Sequence, residues 1–486
     1  MALFFPQVSL LPLERYASLF DADEMRRIDA RVGELGARLE GRVVWNVSSS
    51  AVGGGVAEMV RSLLAYARGA GVDARWAVVG GPPPFFTLTK RLHNAIHGSR
   101  GDGSPLGDRE RALFERVGRD NASELLPMVR PGDIAVVHDP QPAAMIEPLV
   151  LAGAHVIWRC HIGHDEVNEE VARAWRFLLP YLDDAAAYVF SRAAYAPAAI
   201  DRARVTVIPP SIDPFSTKNA PLGESAILAI LAHAGILEGP ERGSPMFTRE
   251  DGTPDRVDRT AEVLRLGGPP TAETPLVVQV SRWDRLKDPV GVLGGFARID
   301  AAAARGAELV LAGPDVSSVA DDPEGAAVYA EVVAAWHALP DEPRRRVHLV
   351  SLPAADVDEN AAIVNALQRH AAVVTQKSLH EGFGLTVTEA MWKARPIVAS
   401  AAGGIRDQID DGRQGLLVAP SDLDGFAQAI ARLLADPALA RRLGEAAHAR
   451  VRERYLGIQS LLRYGALIEA LASRSTGLAS HVQHLS

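Results

Sequence analysis

The sequence predicts an α/β protein with two doubly wound parallel-sheet domains joined in tandem. The chain has 486 residues, which is more than one ordinary hydrophobic core accommodates. Short apolar segments alternate with amphipathic ones, and this order of strands and helices is typical of parallel sheets covered by helices. The alternation stops after IPPSIDPFSTKNAPL (208–222) and resumes near residue 274, which divides the chain into two halves.

In the first half, short apolar runs predict six strands. Between the first two runs, Val56, Met59, Val60, Leu63 and Leu64 have the spacing of one helix face. The runs are GRVVWNVSS (41–49), ARWAVVG (74–80), DIAVVHDP (133–140), HVIWRCH (155–161), AAAYVFS (185–191) and VTVIPPS (205–211).

The second half repeats the pattern. The preceding stretch, Leu237 to Glu273, is rich in Gly, Pro and charged residues, and we interpret it as a partly irregular interdomain insertion. We expect domains at 1–217 and 218–455, then a C-terminal helix in 456–486 that returns towards the first domain and ends in a mobile tail. The predicted strands are PLVVQVSRWD (275–284), AELVLAGP (307–314), RVHLVSL (346–352), AAVVTQKS (371–378), PIVASAAGG (396–404) and GLLVAP (415–420).

Composition excludes several classes of protein. The formal net charge of −9 argues against nucleic-acid binding as the main role, since such proteins present a basic face. The one cysteine, Cys160, cannot form a disulfide within the chain, and no apolar run approaches the roughly 20 residues that span a bilayer. The start of the chain does not have the pattern of a signal peptide. We therefore expect a cytoplasmic protein with no membrane partner.

Ligands of open α/β sheets bind beyond the carboxyl ends of the strands, and three glycine-rich or basic stretches follow strands directly. Gly53, Gly54 and Gly55 lie between a strand and a helix, where backbone amides can approach an anion. Arg282 and Lys287 follow another strand and can clamp a diphosphate without a metal. Ordinary turn glycines and ordinary surface cations are the alternative interpretations.

The third stretch, SLHEGFGLTVTEAMWKARPIVAS (378–400), places two glutamates around a glycine-rich turn that opens a helix. Gly382 and Gly384 allow the backbone from Phe383 to Thr386 to face an anion. Glu389 lies inside the helix and is suited to sugar hydroxyls rather than to phosphate, and Glu381 can contact a second sugar.

Two histidine segments complete the candidates. His138 and Asp139 end one strand, and His161 ends another, with His164 and Asp165 close behind. We favour hydrogen bonding to a polyol over metal binding, because neither a zinc-finger nor an HExxH context is present, and for His164 we favour a core or capping role. Asp pairs at 21/23 and 356/358 lie near predicted helix starts, where aspartate is a routine cap, so we assign no metal site.

These motifs together resemble the retaining nucleotide-sugar glycosyltransferases of GT-B fold, in which two Rossmann-like domains face each other across a cleft. HEGFGLTVTEA carries an E-x7-E motif, Glu381 to Glu389, and SRWDRLKD and the glycine triplet accompany it. The segments VSSSAVGGGVAEMVRSLL, FFTLTKRLHNAIHG, HDPQP and IPPSIDPFSTKN are most similar to the trehalose glycosyltransferring synthase family. The resemblance covers about residues 41–455.

The resemblance implies a transfer of glucose from UDP-, ADP- or GDP-glucose to glucose, without a further cofactor, by a homodimer. Arg282, Lys287, Glu381 and His161 would serve catalysis. The implied donor-binding residues are Glu389, Gly382, Phe383, Gly384, Leu385 and Thr386, with base contacts near Leu352 and Lys377. The implied acceptor-binding residues are Gly54, Gly55, His138, Asp139 and Gln141.

Two departures from the family leave alternatives open. GHDEVNEE follows His161 where the family has a short Asp-Leu-Ser-like continuation, and the 237–273 insertion is long. The alternatives are a retaining trehalose phosphorylase, a glucosyltransferase with another sugar-like acceptor, a non-catalytic sugar-nucleotide binding module and, more remotely, an epimerase on the same fold.

Overall fold

The computed structural model describes residues 3–51, 55–239, 243–316 and 323–483, without the side chains of residues 323 and 472–483. Contacts divide the chain into two compact units, one of Met1–Ser211 with Gly457–Ser486 and the other of Ile212–Leu456. Each unit has its own sheet, fully parallel in the first unit and parallel except for one edge strand in the second.

The first unit contains a six-stranded, fully parallel sheet. Its central strands are buried along their whole length, because helices cover both faces of a parallel sheet. All six predicted strands are present: β1 (Val43–Ser48), β2 (Asp73–Val78), β3 (Ile134–His138), β4 (His155–Cys160), β5 (Ala187–Phe190) and β6 (Val205–Val207).

The described part of the first unit contains seven α-helices. The predicted face of α2 is correct in part, since Val60 and Leu64 are buried whereas Val56, Met59 and Leu63 are only partly covered. The helices are α1 (Ala22–Arg38), α2 (Gly55–Gly69), α3 (Pro83–Ile96), α4 (Asp108–Leu125), α5 (Ile146–Leu151), α6 (Glu169–Leu178) and the C-terminal α17 (Gly457–Gln483).

The second unit contains a seven-stranded sheet and a separate two-stranded hairpin. The six strands predicted for this half are β10 (Leu276–Val280), β11 (Glu308–Pro314), β12 (Val347–Leu352), β13 (Val373–Gln376), β14 (Ile397–Ser400) and β15 (Leu416–Val418). Its helices are α7 (Glu224–His233), α8 (Pro289–Phe296), α9 (Ala301–Ala304), α10 (Pro323–Ala338), α11 (Asp341–Arg345), α12 (Val357–His370), α13 (Leu385–Trp392), α14 (Ile405–Gln408), α15 (Leu423–Ala435) and α16 (Pro437–Arg454).

The insertion at 237–273 lies within the second unit, which corrects its interpretation as an interdomain segment. It carries the antiparallel hairpin of β7 (Met246–Thr248) and β8 (Pro254–Arg256). It also carries β9 (Glu262–Leu264), which pairs antiparallel with β12 at the edge of the sheet. Strands of three residues are too short for a period-two pattern, so the sequence did not predict them.

The order of the strands locates a switch point in each unit. The first sheet runs β2-β1-β3-β4-β5-β6, so the direction of winding reverses between β1 and β3. The second runs β15-β14-β13-β10-β11-β12-β9, and the reversal lies between β10 and β13. Ligands of doubly wound sheets bind at the carboxyl ends of the two strands that flank such a reversal. None of the described helices is long and apolar enough to cross a membrane.

Candidate active site

The switch point of the second unit brings together Lys287, from the loop after β10, and Glu381, from the loop after β13. The Lys287 Nζ atom lies 2.5 Å from Glu381 Oε2, and the two side chains are only 18% and 8% exposed. An ion pair with so little exposure is screened less than a surface pair. The two residues that the sequence assigned to diphosphate and sugar are therefore direct neighbours, although they lie 94 positions apart.

The loop after β10 is shaped by Asp288. This residue caps α8 by accepting a hydrogen bond from the Gly291 N–H at 3.0 Å, and Pro289 follows it as the first residue of the helix. Its backbone is left-handed, with φ of 49°. Its carboxylate also pairs with Lys377, which directly follows β13 and is 1% exposed. The two loops at the switch point are thus joined by a second, structural ion pair.

The ammonium of Lys377 also donates to the Pro420 carbonyl at 2.8 Å. The main-chain N–H of Lys377 donates to Gln279 Oε1 at 2.9 Å, which leaves the main-chain carbonyl. A role in base binding would therefore use its main chain. Leu352 ends β12 and is buried, and its carbonyl accepts from the Asp315 N–H at 2.9 Å. Both base contacts stay predictions.

Arg282 has a more exposed position than Lys287. Its side chain is 62% exposed and approaches Asp284 at 3.4 Å. An exposed contact of this length contributes little to stability, so the guanidinium can turn to an incoming anion. The phosphate-binding role of Arg282 stays a prediction.

A glycine in the left-handed region opens α13. Gly384 has φ of 89° and precedes Leu385, the first helical residue. A Cβ at this position would lie 3.2 Å from Glu381 Cγ and 3.2 Å from Ile405 Cγ1, so both the conformation and the space favour glycine. Phe383 is buried against Tyr455, with ring centroids 5.7 Å apart, which anchors the turn.

A hydrogen-bond chain connects the start of α13 to the ion pair. The Thr386 hydroxyl donates to Gln376 Oε1 at 2.8 Å, and Gln376 Nε2 donates to Ser378 Oγ at 3.0 Å. Ser378 then donates to Glu381 Oε2 at 3.0 Å, on the oxygen that Lys287 contacts. Gln376 and Ser378 are buried, so this chain fixes the Glu381 carboxylate from inside the protein. We name Thr386, Gln376, Ser378 and Glu381 the Glu381 chain.

Glu389 is 4% exposed and lies on α13 as predicted. Its Oε1 lies 3.7 Å from the ammonium of Lys218, which precedes α7. Sequence reasoning missed Lys218, although STKN at 216–219 was within a segment that carried the resemblance. The buried carboxylate is thus accompanied by a cation that only the fold reveals.

The switch point of the first unit places Asp139 directly after β3. Asp139 has φ of 63°, a left-handed conformation that is uncommon outside glycine. Its N–H donates to the Arg159 carbonyl at 2.7 Å, and its Oδ1 accepts from the His161 N–H at 2.7 Å. Burial raises the pKa of Asp139 to about 6, against the opposing effects of the His161 N–H and Arg159. A backbone conformation that is uncommon and is held in place by its surroundings often occurs at functional sites.

His138 and His161 lie against each other in the same unit. Nδ1 of His138 is 3.0 Å from Nε2 of His161, and the rings are stacked with centroids 5.3 Å apart. Nε2 of His138 is 3.0 Å from Oδ1 of Asn46 on β1. Burial, aided by Arg159, lowers the pKa of His138 to about 3 and that of His161 well below its usual range. Both rings are therefore neutral at physiological pH.

The remaining acceptor candidates are placed as follows. Gln141 is partly buried, and its Oε1 has no hydrogen-bond partner among the described residues. Gly55 is the first residue of α2, whereas Gly53 and Gly54 lie outside the described residues. His164 contacts the Glu166 carbonyl, as expected for a local structural role.

One aspartate of each Asp pair caps a helix, as predicted. Asp21 caps α1 and Asp356 caps α12. Within the described ranges, no group of three or more His, Cys, Asp or Glu side chains has an arrangement that could hold a metal ion.

Two family models match the chain, trehalose synthase N-terminal domain over residues 46–197 and glycosyl transferases group 1 over residues 357–450. A trehalose synthase of Rubrobacter xylanophilus is 35% identical over 433 residues, which cover 89% of this chain and 91% of that protein. This chain belongs to the trehalose synthase family. It is a hexosyltransferase in class and has the GT-B fold.

Further comparisons agree with the family. A trehalose synthase of Pyrococcus horikoshii is 33% identical over 459 residues, covering 94% of this chain and 96% of that one. The crystal structure of an α,α-trehalose-phosphate synthase (UDP-forming) from Burkholderia vietnamiensis matches with a TM-score of 0.63 at 18% identity, covering 89% and 98% of the two chains. The second likeness supports the fold alone.

Proposed function

We propose that this member of the trehalose synthase family transfers glucose from a nucleoside diphosphate glucose to glucose and forms α,α-trehalose. The observation that carries the proposal is the relationship at 35% identity over 89% of the chain, with Lys287 and Glu381 paired at a switch point. The second unit would bind the donor and the first unit the acceptor.

The donor diphosphate would be held by Lys287, Arg282 and the amides at the start of α13. When a phosphate arrives, the Lys287 ammonium would exchange its contact with Glu381 for one with a phosphate oxygen. A cation at this position stabilises the negative charge that develops on the leaving diphosphate. Glu381, released from Lys287 but still held by Ser378, would accept hydrogen bonds from the transferred sugar, and Glu389 from the ribose.

The reaction would retain the configuration of the anomeric carbon. The bond from C1 to the leaving phosphate oxygen breaks, the acceptor hydroxyl oxygen bonds to C1 on the same face, and the departing phosphate oxygen takes the acceptor proton. Positioning of the two substrates supplies much of the acceleration in such a reaction. Asp139, Gln141 and the amides near Gly55 would hold the acceptor, with His161 near the reacting carbon, whereas both ring nitrogens of His138 are used by His161 and Asn46.

The nucleobase, the cellular location and the assembly belong to the same proposal. UDP-, ADP- and GDP-glucose are the candidate donors, no other cofactor is needed, and the enzyme would act in the cytoplasm as a homodimer. Size-exclusion chromatography with light scattering tests the dimer.

The proposal is tested by a panel of nucleoside diphosphate sugars against simple sugars, with NMR of the products. We expect nucleotide release only when glucose is also present, and a product with both anomeric centres in the α configuration. Trehalose cleavage that requires inorganic phosphate and no nucleotide would instead establish a phosphorylase. Donor binding without turnover would establish a sugar-nucleotide binding module.

A further inference from the structure

A line of four buried polar side chains crosses the carboxyl edge of the first sheet. Asn46 comes from β1, His138 ends β3, and Arg159 and His161 come from β4 and the position after it. Their exposed fractions are 4%, 2%, 1% and 6%, so each must find its hydrogen bonds inside the protein. We call these four residues the histidine relay.

The contacts of the relay determine where its protons lie. The guanidinium of Arg159 can only donate, and its Nε lies 3.4 Å from Nδ1 of His161, so that nitrogen is an acceptor. The proton of His161 is then on Nε2, which donates to Nδ1 of His138 at 3.0 Å. His138 in turn carries its proton on Nε2 and donates it to Asn46 Oδ1 at 3.0 Å.

In this assignment each of the four ring nitrogens makes one hydrogen bond, either as donor or as acceptor. A flipped Asn46 amide would set two N–H groups against each other, so the orientation of Asn46 follows from the same argument. A second proton on either ring would face an existing donor. Arg159 is the charged group that acts on both rings, and Asp139 contacts the His161 N–H. Cys160 and, from α17, Tyr464 interact in turn with Arg159 and Asp139.

We infer that His138 is a positioning residue that fixes His161 as a neutral imidazole with its proton on Nε2, so that His161 acts by position and not by proton transfer. His161 then presents its main-chain N–H to Asp139, and its ring nitrogens stay occupied within the relay. This inference rests on the proposed function, and it adds the roles of His138 and His161 to that function. A site with no titrating histidine agrees with a leaving phosphate oxygen as the proton acceptor.

The tautomers are measured directly by long-range ¹H–¹⁵N correlation NMR on the full-length protein with ¹⁵N-labelled histidine, without substrate. We expect both histidines to be protonated on Nε2 and to remain neutral from about pH 5 to about pH 8, since each lacks an acceptor for a second proton. A proton on Nδ1 of His161, or a second proton on its ring within that range, would overturn the inference whether or not the proposed reaction is correct.

Two variants separate positioning from packing. H138Q keeps an acceptor for His161 and a donor for Asn46, whereas H138F fills a similar volume but cannot hydrogen-bond. We expect H138F to lower kcat about 10- to 100-fold through misplacement at the site, and H138Q to restore most of the rate. Folding of each variant is checked by circular dichroism.

H155F is the matched control, because His155 begins the neighbouring strand β4, at the end opposite to His161. We expect its rate to equal that of the wild type. A rate in H138F as high as in H138Q would show that volume alone matters and would overturn the inference, and if neither variant folds, the tautomer measurement on the wild type decides. A wild type that makes no trehalose from any donor would count against the proposed function and would leave the NMR result intact.

Discussion

At the scale of single residues, the ion pair of Lys287 and Glu381 is the centre of the proposed chemistry. In the absence of a ligand each side chain satisfies the other, so neither leaves an unpaired charge in a mostly covered site. The arrangement also explains why Glu381 needs a further support. In the proposed reaction phosphate would draw Lys287 away, and Ser378 would still hold the carboxylate through Oε2.

Removing the Ser378 hydroxyl should therefore disturb Glu381. We expect S378A to lower kcat/KM for the donor about 10-fold, since a hydrogen bond to a charged group contributes about 1.5–3 kcal/mol. S378T, which keeps the hydroxyl, should recover much of that loss. Steady-state kinetics with varied donor concentration measure the effect.

S400A is the control for this substitution. Ser400 ends β14, is fully buried, and its Oγ has no hydrogen-bond partner among the described residues. Its replacement should leave kcat/KM unchanged. Equal losses in S378A and S400A would mean that the Glu381 chain does not position the carboxylate.

Part of this site was predictable from sequence at the residue scale. Lys287, Glu381 and Glu389 are candidates from sequence alone, because basic and acidic residues at fixed spacing follow predicted strands. Their partners were not found, because the pairings of Lys287 with Glu381 and of Lys218 with Glu389 join residues that are distant in sequence. A single sequence shows local spacing, and it does not show which loops the sheet brings together.

At the scale of elements, two ion pairs connect the loops that follow β10 and β13. Asp288, which caps α8, is paired with Lys377 directly after β13, and Lys287 is paired with Glu381 beyond it. The strand order puts β10 and β13 side by side, which is why both pairs can form. The left-handed Gly384 then turns the second loop into α13.

Gly384 should be sensitive to a single added methyl group. We expect G384A to cost about 1–2 kcal/mol in the free energy of unfolding from the left-handed backbone. It should also lower donor turnover, because the new Cβ meets Glu381 Cγ at 3.2 Å. Chemical denaturation and donor kinetics measure the two effects separately.

G412A provides the comparison at this scale. Gly412 has φ of 73°, and a Cβ there meets nothing within 4 Å. G412A should lose about as much free energy of unfolding as G384A but should turn over the donor as fast as the wild type. Full donor turnover in G384A would show that the start of α13 does not shape the site.

At the scale of the whole molecule, the two units share a doubly wound design with different strand orders. The first sheet has its switch point between β1 and β3, and the second between β10 and β13. In each unit the polar residues proposed to bind substrate follow those strands. The histidine relay and Asp139 belong to the first unit, and the Lys287–Glu381 pair belongs to the second.

The sequence predicted every parallel strand of both sheets, because buried parallel strands are continuous apolar runs bounded by turn residues. It did not predict β9, which is only partly buried and pairs antiparallel at an edge. It also left the strand order open, and order is what assigns the switch points. The pattern of apolar residues was therefore enough to predict the fold class. The strand order was needed to show which residues lie together in each site.

We propose that the second unit binds the donor diphosphate through Lys287, and calorimetric titration with UDP, ADP and GDP measures this binding without any turnover. We expect the wild type to bind at least one of them and K287A to bind it about 10- to 100-fold more weakly, as the loss of a hydrogen bond to a charged group implies. R285A is the control, since Arg285 is in the same loop but is exposed and pairs with Glu331. Its affinity should stay within about twofold of the wild type. Equal affinities of K287A and the wild type for the nucleotide would contradict the account.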